Sequence, residues 1–111
     1  PTVREADGLA MSSRNVRLSG EDRNRAPALH RALNVIKETI DAGETDAAAA
    51  VAIGRTELRD AGIEPEYLAV VDPETFEPRP VLDAAGPALV IIAALVGSVR
   101  LIDNEFVQGA V

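Results

Sequence analysis

Residues 89–103 read Leu-Val-Ile-Ile-Ala-Ala-Leu-Val-Gly-Ser-Val-Arg-Leu-Ile-Asp, and this stretch decides the fold. Two apolar runs flank Gly97-Ser98, a two-residue spacer that is typical of a hairpin turn. Another short run, at 67–72, reads Tyr-Leu-Ala-Val-Val-Asp and is also typical of a strand. The proline-rich residues 73–80 between them indicate a surface loop. The pattern therefore predicts about three strands in a small, mostly antiparallel sheet.

Two main helices are expected before this sheet. The first begins at Ser19, a favourable N-cap, and ends at Gly43. Its apolar residues recur every three or four positions, at Leu29, Leu33, Ile36 and Ile40. Pro27 removes one hydrogen bond of this helix, which predicts a kink or a division into two helices. The second helix begins at 45–46 and continues through alanine-rich sequence to Gly62, so it should pack with its backbone close to a neighbour.

The length is that of one domain. The predicted elements make its class α+β, with two main helices followed by the sheet. The chain has 111 residues, of which 47% are hydrophobic and 3% aromatic, so Val, Ile, Leu and Ala must build the core. The absence of cysteine excludes disulfides and a cysteine nucleophile. The longest uncharged run, 84–99, is shorter than a membrane-spanning helix requires.

Charge is distributed unevenly along the chain. The net charge is −7, yet residues 1–31 alone carry a net charge of +2. The remainder would repel a nucleic acid over most of its surface. A small anion bound near the amino end is compatible with this distribution.

The most polar part of that end is Met11-Ser12-Ser13-Arg14-Asn15, which follows a turn at Asp7-Gly8. One interpretation is a polar turn before a helix, with Arg14 solvated. The other is an anion site, in which hydroxyls, backbone N–H groups and a guanidinium converge on phosphate oxygens. The motif alone leaves both interpretations open.

Three blocks of this sequence together resemble the C-terminal domain of the pantothenate synthetase (pantoate–β-alanine ligase) family. The first block is residues 1–15, Pro-Thr-Val-Arg-Glu-Ala-Asp-Gly-Leu-Ala-Met-Ser-Ser-Arg-Asn. The others are residues 67–73, Tyr-Leu-Ala-Val-Val-Asp-Pro, and residues 100–104, Arg-Leu-Ile-Asp-Asn. They stand in the family's order and span almost the whole chain. Arg17 departs from the pattern, because an aromatic residue is usual at that position.

The resemblance implies an ATP- and Mg²⁺-dependent, AMP-forming ligase that joins pantoate to β-alanine through a pantoyl-adenylate, in the pathway of pantothenate and coenzyme A. It implies a cytoplasmic homodimer, without nucleic-acid or membrane partners. Residues 1–18 would be the ATP-contacting loop and 19–111 a lid domain. An N-terminal Rossmann-like catalytic domain, absent from this sequence, would hold the substrates and most of the ATP and Mg²⁺ contacts. The fragment alone would then be inactive.

Five residues receive site roles by this resemblance. Val3 would contact the adenosine, while the other four would line the ATP site: Met11, Ser12, Ser13 and Arg14. The catalytic contribution is assigned to Ser12, Ser13 and Arg14, as donors to the phosphates. No metal ligand is assigned.

The remaining polar residues suggest structural roles. His30 is expected on the first helix as a surface or boundary histidine, without a metal, and Glu64 and Glu66 are expected to be solvated. Asp72 and Asp103 each follow an apolar run and are predicted to be turn formers at strand ends. Asn104 receives no catalytic role.

An alternative function is a free-standing acidic interaction or dimerisation module. The apolar hairpin would supply it with an edge for self-association. The sequence upstream of Pro1 would separate the two hypotheses.

Overall fold

Three helices and three strands follow a short 3₁₀ helix in the computed structural model, which describes residues 3–82 and 86–108. The 3₁₀ helix spans Ser13–Arg17, and the α-helices are α1 (Gly20–Arg25), α2 (Ala28–Asp41) and α3 (Ala47–Asp60). The strands are β1 (Pro65–Val71), β2 (Pro87–Val96) and β3 (Val99–Gln108). This arrangement confirms the predicted α+β class and the order of helices before strands.

The sheet is antiparallel, in the order β1-β2-β3. Val96 pairs with Val99 across the two-residue turn at Gly97-Ser98, as predicted. Gly97 has a φ of +63°, which glycine adopts without the steric cost that other residues incur. Both strands of the hairpin have ten residues, and β3 therefore continues beyond the predicted end at residue 103.

The predicted helix boundaries are confirmed by their capping contacts. The side chain of Ser19 accepts a hydrogen bond from the backbone N–H of Asp22, and Asp46 accepts one from Ala48. The helix around Pro27 is divided into α1 and α2. Gly43 and Gly62, with φ of +118° and +73°, follow α2 and α3 in the left-handed conformation of a helix C-terminus.

Both long helices pack on one face of the sheet, α2 over β2 and β3 and α3 over β1. The core between the layers consists of Leu, Ile, Val and Ala side chains from all of these elements. Where α2 meets α3, Gly54 lies against Ile36, and a side chain at Gly54 would contact the carbonyl oxygen of Ala32 at 3.3 Å. The close backbone approach that the alanine-rich sequence predicts is present here.

This close approach predicts opposite effects for two glycine substitutions within helices. Gly54→Ala would drive a methyl group into the fully buried Ile36, and overpacking of about 1–3 kcal/mol should exceed the gain in helix propensity of about 1 kcal/mol. Gly20→Ala is the matched control, because nothing lies within 4 Å of a methyl group there. Urea unfolding followed by circular dichroism should show lower stability for the first variant and equal or higher stability for the second. A Gly54→Ala protein as stable as Gly20→Ala would contradict this packing.

Candidate functional site

The opening segment folds back on itself and lies against the sheet. Arg4 and Ala10 form an antiparallel bridge, and the N–H of Met11 donates to the carbonyl of Val3 at 2.8 Å. The turn between them contains Gly8, with a φ of +95°. Leu9 is only 3% exposed and belongs to the core. The segment is therefore anchored, although the sequence predicted only a loop at 1–18.

The hydroxyl and guanidinium groups of the motif lie on the surface next to this anchor. Ser12 caps the 3₁₀ helix, and its Oγ accepts a hydrogen bond from the N–H of Arg14 at 3.1 Å. Met11, Ser12, Ser13 and Arg14 are all exposed. The Arg14 guanidinium donates to the backbone carbonyl of Arg100 at 3.3 Å and makes no salt bridge with any carboxylate in the described ranges. Its charge is thus available to a ligand.

An open groove of about 650 Å³ runs between the motif and the sheet. On the motif side it is lined by Met11, Ser12, Arg14 and Asn15, whereas Val3 and Ser13 do not line it. The opposite side comes mainly from residues of the sheet and the 73–80 loop, including Tyr67, Phe76, Ile91, Arg100, Ile102 and Phe106. The groove therefore has a polar, cationic rim and an apolar wall.

The apolar wall follows from the alternation of side chains along the strands. In β2 and β3, every second side chain points into the core, and the side chains between them point away from the helices. Ile102 and Phe106 belong to the outer set and are 57% and 59% exposed. No α-helix covers this face within the described ranges, and it is apolar enough to accept a planar or aliphatic group.

A second cation, Arg100, borders the groove. Its side chain donates to both oxygens of Glu66, at 3.0 and 3.2 Å, and this hydrogen-bonded carboxylate raises the pKa of Arg100 above its ordinary value. Glu66 is exposed, as predicted, but it is an ion-pair partner as well as a solvated group.

The prediction that Asp103 forms a turn at a strand end is wrong. Asp103 lies in the middle of β3, opposite Ile92, and its side chain is 2% exposed. It is held there by Arg4, whose two terminal nitrogens contact its two oxygens at 2.6 and 3.1 Å. A charge is tolerated on the core face because an opposite charge with matching geometry reaches it.

Sequence reasoning missed Arg4 as the partner of this carboxylate. A usable signal was the alternation of side chains along β3. Asp103 lies an even number of residues from Val99, Leu101 and Val107, which are buried. A charged residue at a buried position requires a partner, and the basic residues of the opening segment were candidates.

The other polar residues are placed as predicted. Asp72 forms a turn, since its side chain accepts hydrogen bonds from the N–H groups of Glu74 and Thr75. These bonds hold the pKa of Asp72 below its usual value. His30 lies on α2 and is half-buried, as expected for a boundary residue, and Glu64 is exposed. Asn104 is exposed at the groove and offers its backbone carbonyl to Arg4.

Neither a metal cluster nor a membrane-spanning helix occurs in the parts of the chain that the structure describes. No three His, Asp or Glu side chains converge there in a manner that would hold a metal ion. No helix in these ranges is long and apolar enough to cross a bilayer.

Comparison with known proteins identifies the family. The pantoate-β-alanine ligase family matches residues 1–106, which is nearly the whole chain. The chain belongs to this family.

Relatives from bacteria support this membership. The pantothenate synthetase of Stutzerimonas stutzeri (strain A1501) is 42% identical over 108 residues, which are 97% of this chain and 37% of that protein. The crystal structure of the Thermus thermophilus pantothenate synthetase is 45% identical, with a TM-score of 0.86 over 95% of this chain and 37% of that one. The chain therefore spans little more than a third of the relatives it matches.

A more distant structure shares the fold alone. The pantoate-β-alanine ligase of Francisella tularensis, complexed with β-γ ATP and β-alanine, is 24% identical with a TM-score of 0.58. The match covers 95% of this chain and 31% of that one.

His30, which lies against the turn at Gly8, should make stability depend on pH. Its ring lies against Gly8, and burial, followed by the charge of Arg4, lowers its pKa below 6.5. Asp103 and Glu105 oppose this shift without reversing it. A histidine with a lowered pKa stabilises the fold above its unfolded pKa and loses that contribution as the pH falls.

We therefore expect the free energy of unfolding to fall between about pH 7.5 and 5, and to fall less in His30→Gln. Chemical denaturation at a series of pH values measures this difference. The pKa values of Asp7, Asp22 and Asp72 lie below the ordinary value of 3.8, so these carboxyl groups titrate at more acid pH than His30. Parallel pH profiles for the two proteins would contradict the role given to His30.

Proposed function

We propose that this chain is the lid domain of an ATP-dependent, AMP-forming ligase that condenses pantoate with β-alanine through a pantoyl-adenylate. The observation that carries the proposal is the exposed Ser12–Arg14 motif on the rim of an open groove, in a chain of the pantoate-β-alanine ligase family. The coverage of about 37% of the relatives supports a division of labour with a larger part. We assign the Rossmann-like catalytic domain and the substrate pockets to that part.

The chemistry at the rim suits adenylation. In that reaction negative charge develops on the α-phosphate and on the departing pyrophosphate. Donors already placed at those oxygens stabilise the transition state more than the ground state. Arg14 offers a planar fork of N–H groups that keeps its charge at neutral pH, and Ser12 and Ser13 offer hydroxyl groups.

The apolar wall suits the remainder of the nucleotide. Exposed Tyr67, Ile102 and Phe106 provide surface on which a base or an adenylate can be sequestered from water. In this proposal the groove is one half of the reaction chamber, and closure of the lid on the catalytic domain completes it. Val3, which is exposed but outside the groove, would contact the adenosine in the closed state.

The residues of this chain fit ATP better than they fit Mg²⁺. Asp103 is the one carboxylate lining the groove in the described ranges, and it is already engaged by Arg4. Mg²⁺ prefers oxygen ligands, chiefly carboxylates and phosphates. We therefore place Mg²⁺ on the nucleotide and on the other part of the ligase, and route no step through it here.

The partners follow from the same proposal. The lid would bind its own catalytic domain, with pantoate and β-alanine as small-molecule substrates and a second ligase copy as a dimer partner. We place the whole ligase in the cytoplasm, without nucleic-acid or membrane partners.

A second candidate function is an interaction module that uses the outer face of the sheet. The exposed Leu95, Ile102 and Phe106 favour it, because contiguous apolar surface commonly marks an interface. The sheet edge predicted for self-association is less open than expected, since Arg4 and Arg14 occupy backbone carbonyls of β3. In the proposed ligase the same face would contact the catalytic domain. The ligase proposal therefore accounts for the exposed apolar side chains as well as for the motif.

Replacement of Arg14 in the whole ligase tests the role of the motif. Arg14→Ala should lower the rate of pantoyl-adenylate formation about 10²-fold, because it removes a transition-state donor. ATP–pyrophosphate exchange dependent on pantoate measures this step. Arg17→Ala is the matched control, since Arg17 is an exposed arginine three residues away that does not line the groove. Equal rates for the wild type and Arg14→Ala would refute the assignment.

The isolated chain should bind ATP only very weakly, because half of the site cannot offset the cost of ordering the ligand. An NMR titration of the 111-residue chain with ATP measures this affinity. Small shifts confined to residues 11–15 and the groove are the expected result. Binding in the micromolar range would mean that this domain holds the nucleotide by itself.

A further inference from the structure

We infer that Arg4 and Asp103 are positioning residues that hold the Ser12–Arg14 motif on the rim of the groove. The kinetic test of this inference rests on the proposed function. Its structural test, by hydrogen exchange, rests on geometry alone. Neither residue carries reacting groups in the proposal. Each is nevertheless placed so that the motif depends on it.

The contact between Arg4 and Asp103, called the latch below, consists of several directed hydrogen bonds. Arg4 spans both oxygens of Asp103, and the same guanidinium donates to the carbonyls of Gly8 at 3.1 Å and Asn104 at 3.3 Å. Glu105 adds a second carboxylate at 3.5 Å. Several separate acceptors therefore fix one side chain, which is 17% exposed. A planar fork satisfies such a set, whereas an ammonium group cannot span the two oxygens in the same way.

The carboxylate is oriented as firmly as the guanidinium. Asp103 Oδ1 also accepts the backbone N–H of Asn104 at 2.7 Å, and the side chain is almost completely buried. Asp103 belongs to β3, which is paired with β2 along its full length. The latch therefore connects the opening segment to a strand that is hydrogen-bonded into the sheet.

The path from the latch to the motif is short and hydrogen-bonded. Arg4 forms the bridge with Ala10, and Asn15 donates from its side chain to the carbonyl of Ala10 at 3.0 Å. Arg14 contacts the carbonyl of Arg100, on the same strand as Asp103. Arg4, which precedes the motif, and Arg14, which belongs to it, thus contact β3 at two separate points. Loss of the first contact would remove the buried ion pair, leaving the segment held by the exposed Arg14 contact, by Leu9 in the core and by the Asp7–Arg23 salt bridge.

A double-mutant cycle in the whole ligase tests the inference. Asp103→Asn removes the charge with little change in shape and should lower kcat/KM for ATP about 10²-fold, since a misplacement of about 1 Å has effects of this size. In an Arg14→Ala background the same substitution should lower it by at least about 10-fold less, because one of the residues that it positions is already absent and only Ser12 and Ser13 remain. Full and equal losses in both backgrounds would overturn the inference, as would an unchanged rate in a folded Asp103→Asn protein.

Two further variants separate positioning from stability. Asp41→Asn removes an exposed carboxylate that pairs with Lys37 on α2, far in sequence from the motif, and should leave kcat/KM unchanged. Arg4→Lys keeps the charge and loses the fork, so it should show an intermediate loss in the same cycle. If Asp103→Asn fails to fold, as judged by circular dichroism, the cycle with Arg4→Lys decides the question by the same criteria.

Hydrogen exchange supplies a readout that does not require activity. In the 111-residue chain, Asp103→Asn should speed exchange of the Glu5 and Met11 amides at least about 10-fold, while core amides of α2 keep their rates. Equal exchange at Glu5 and Met11 in both proteins would overturn the latch. An inactive wild-type ligase would refute the proposed function instead, and the exchange result would still decide the latch.

Discussion

A carboxylate buried among aliphatic side chains requires a cation beside it, and this requirement connects the two ends of the chain. Asp103 points into the core because of its position in the alternation of β3. Alone it would be strongly unfavourable there, since burial removes its hydration. Arg4, 99 positions away in sequence, supplies the charge and the hydrogen bonds. The opening segment lies against β3 in an arrangement that satisfies this carboxylate, and the groove forms beside it.

The same arrangement joins two surfaces of different chemistry. The motif contributes hydroxyls and a guanidinium, while the outer face of the sheet contributes exposed apolar side chains. The helices cover the opposite face of the sheet and leave this one available. In the proposed ligase, the charged part of a nucleotide would face Arg14 and its less polar part would face Ile102 and Phe106. One wall of the chamber is thus built by strand alternation and the other by an anchored loop.

Local chemistry explains which parts of the fold the sequence predicts. Ser19, Asp46 and the Gly97-Ser98 turn act within a few residues of themselves, so helix starts and the hairpin follow from the pattern. The role of Asp103 did not, because it depends on Arg4 at the other end of the chain, and the predicted end of β3 was therefore too early. A charge after an apolar run has the same local appearance at a strand end and in a buried ion pair. The motif was found through its family resemblance, whereas the groove beside it required the packed loop and sheet.

The low aromatic content has a spectroscopic consequence. The chain contains one tyrosine and no tryptophan, and that tyrosine, Tyr67, lines the groove. Tyrosine emission from this chain therefore originates at a single site on the outer face of the sheet. The domain carries an intrinsic fluorophore at the surface where a ligand or a neighbouring domain would quench or shield it.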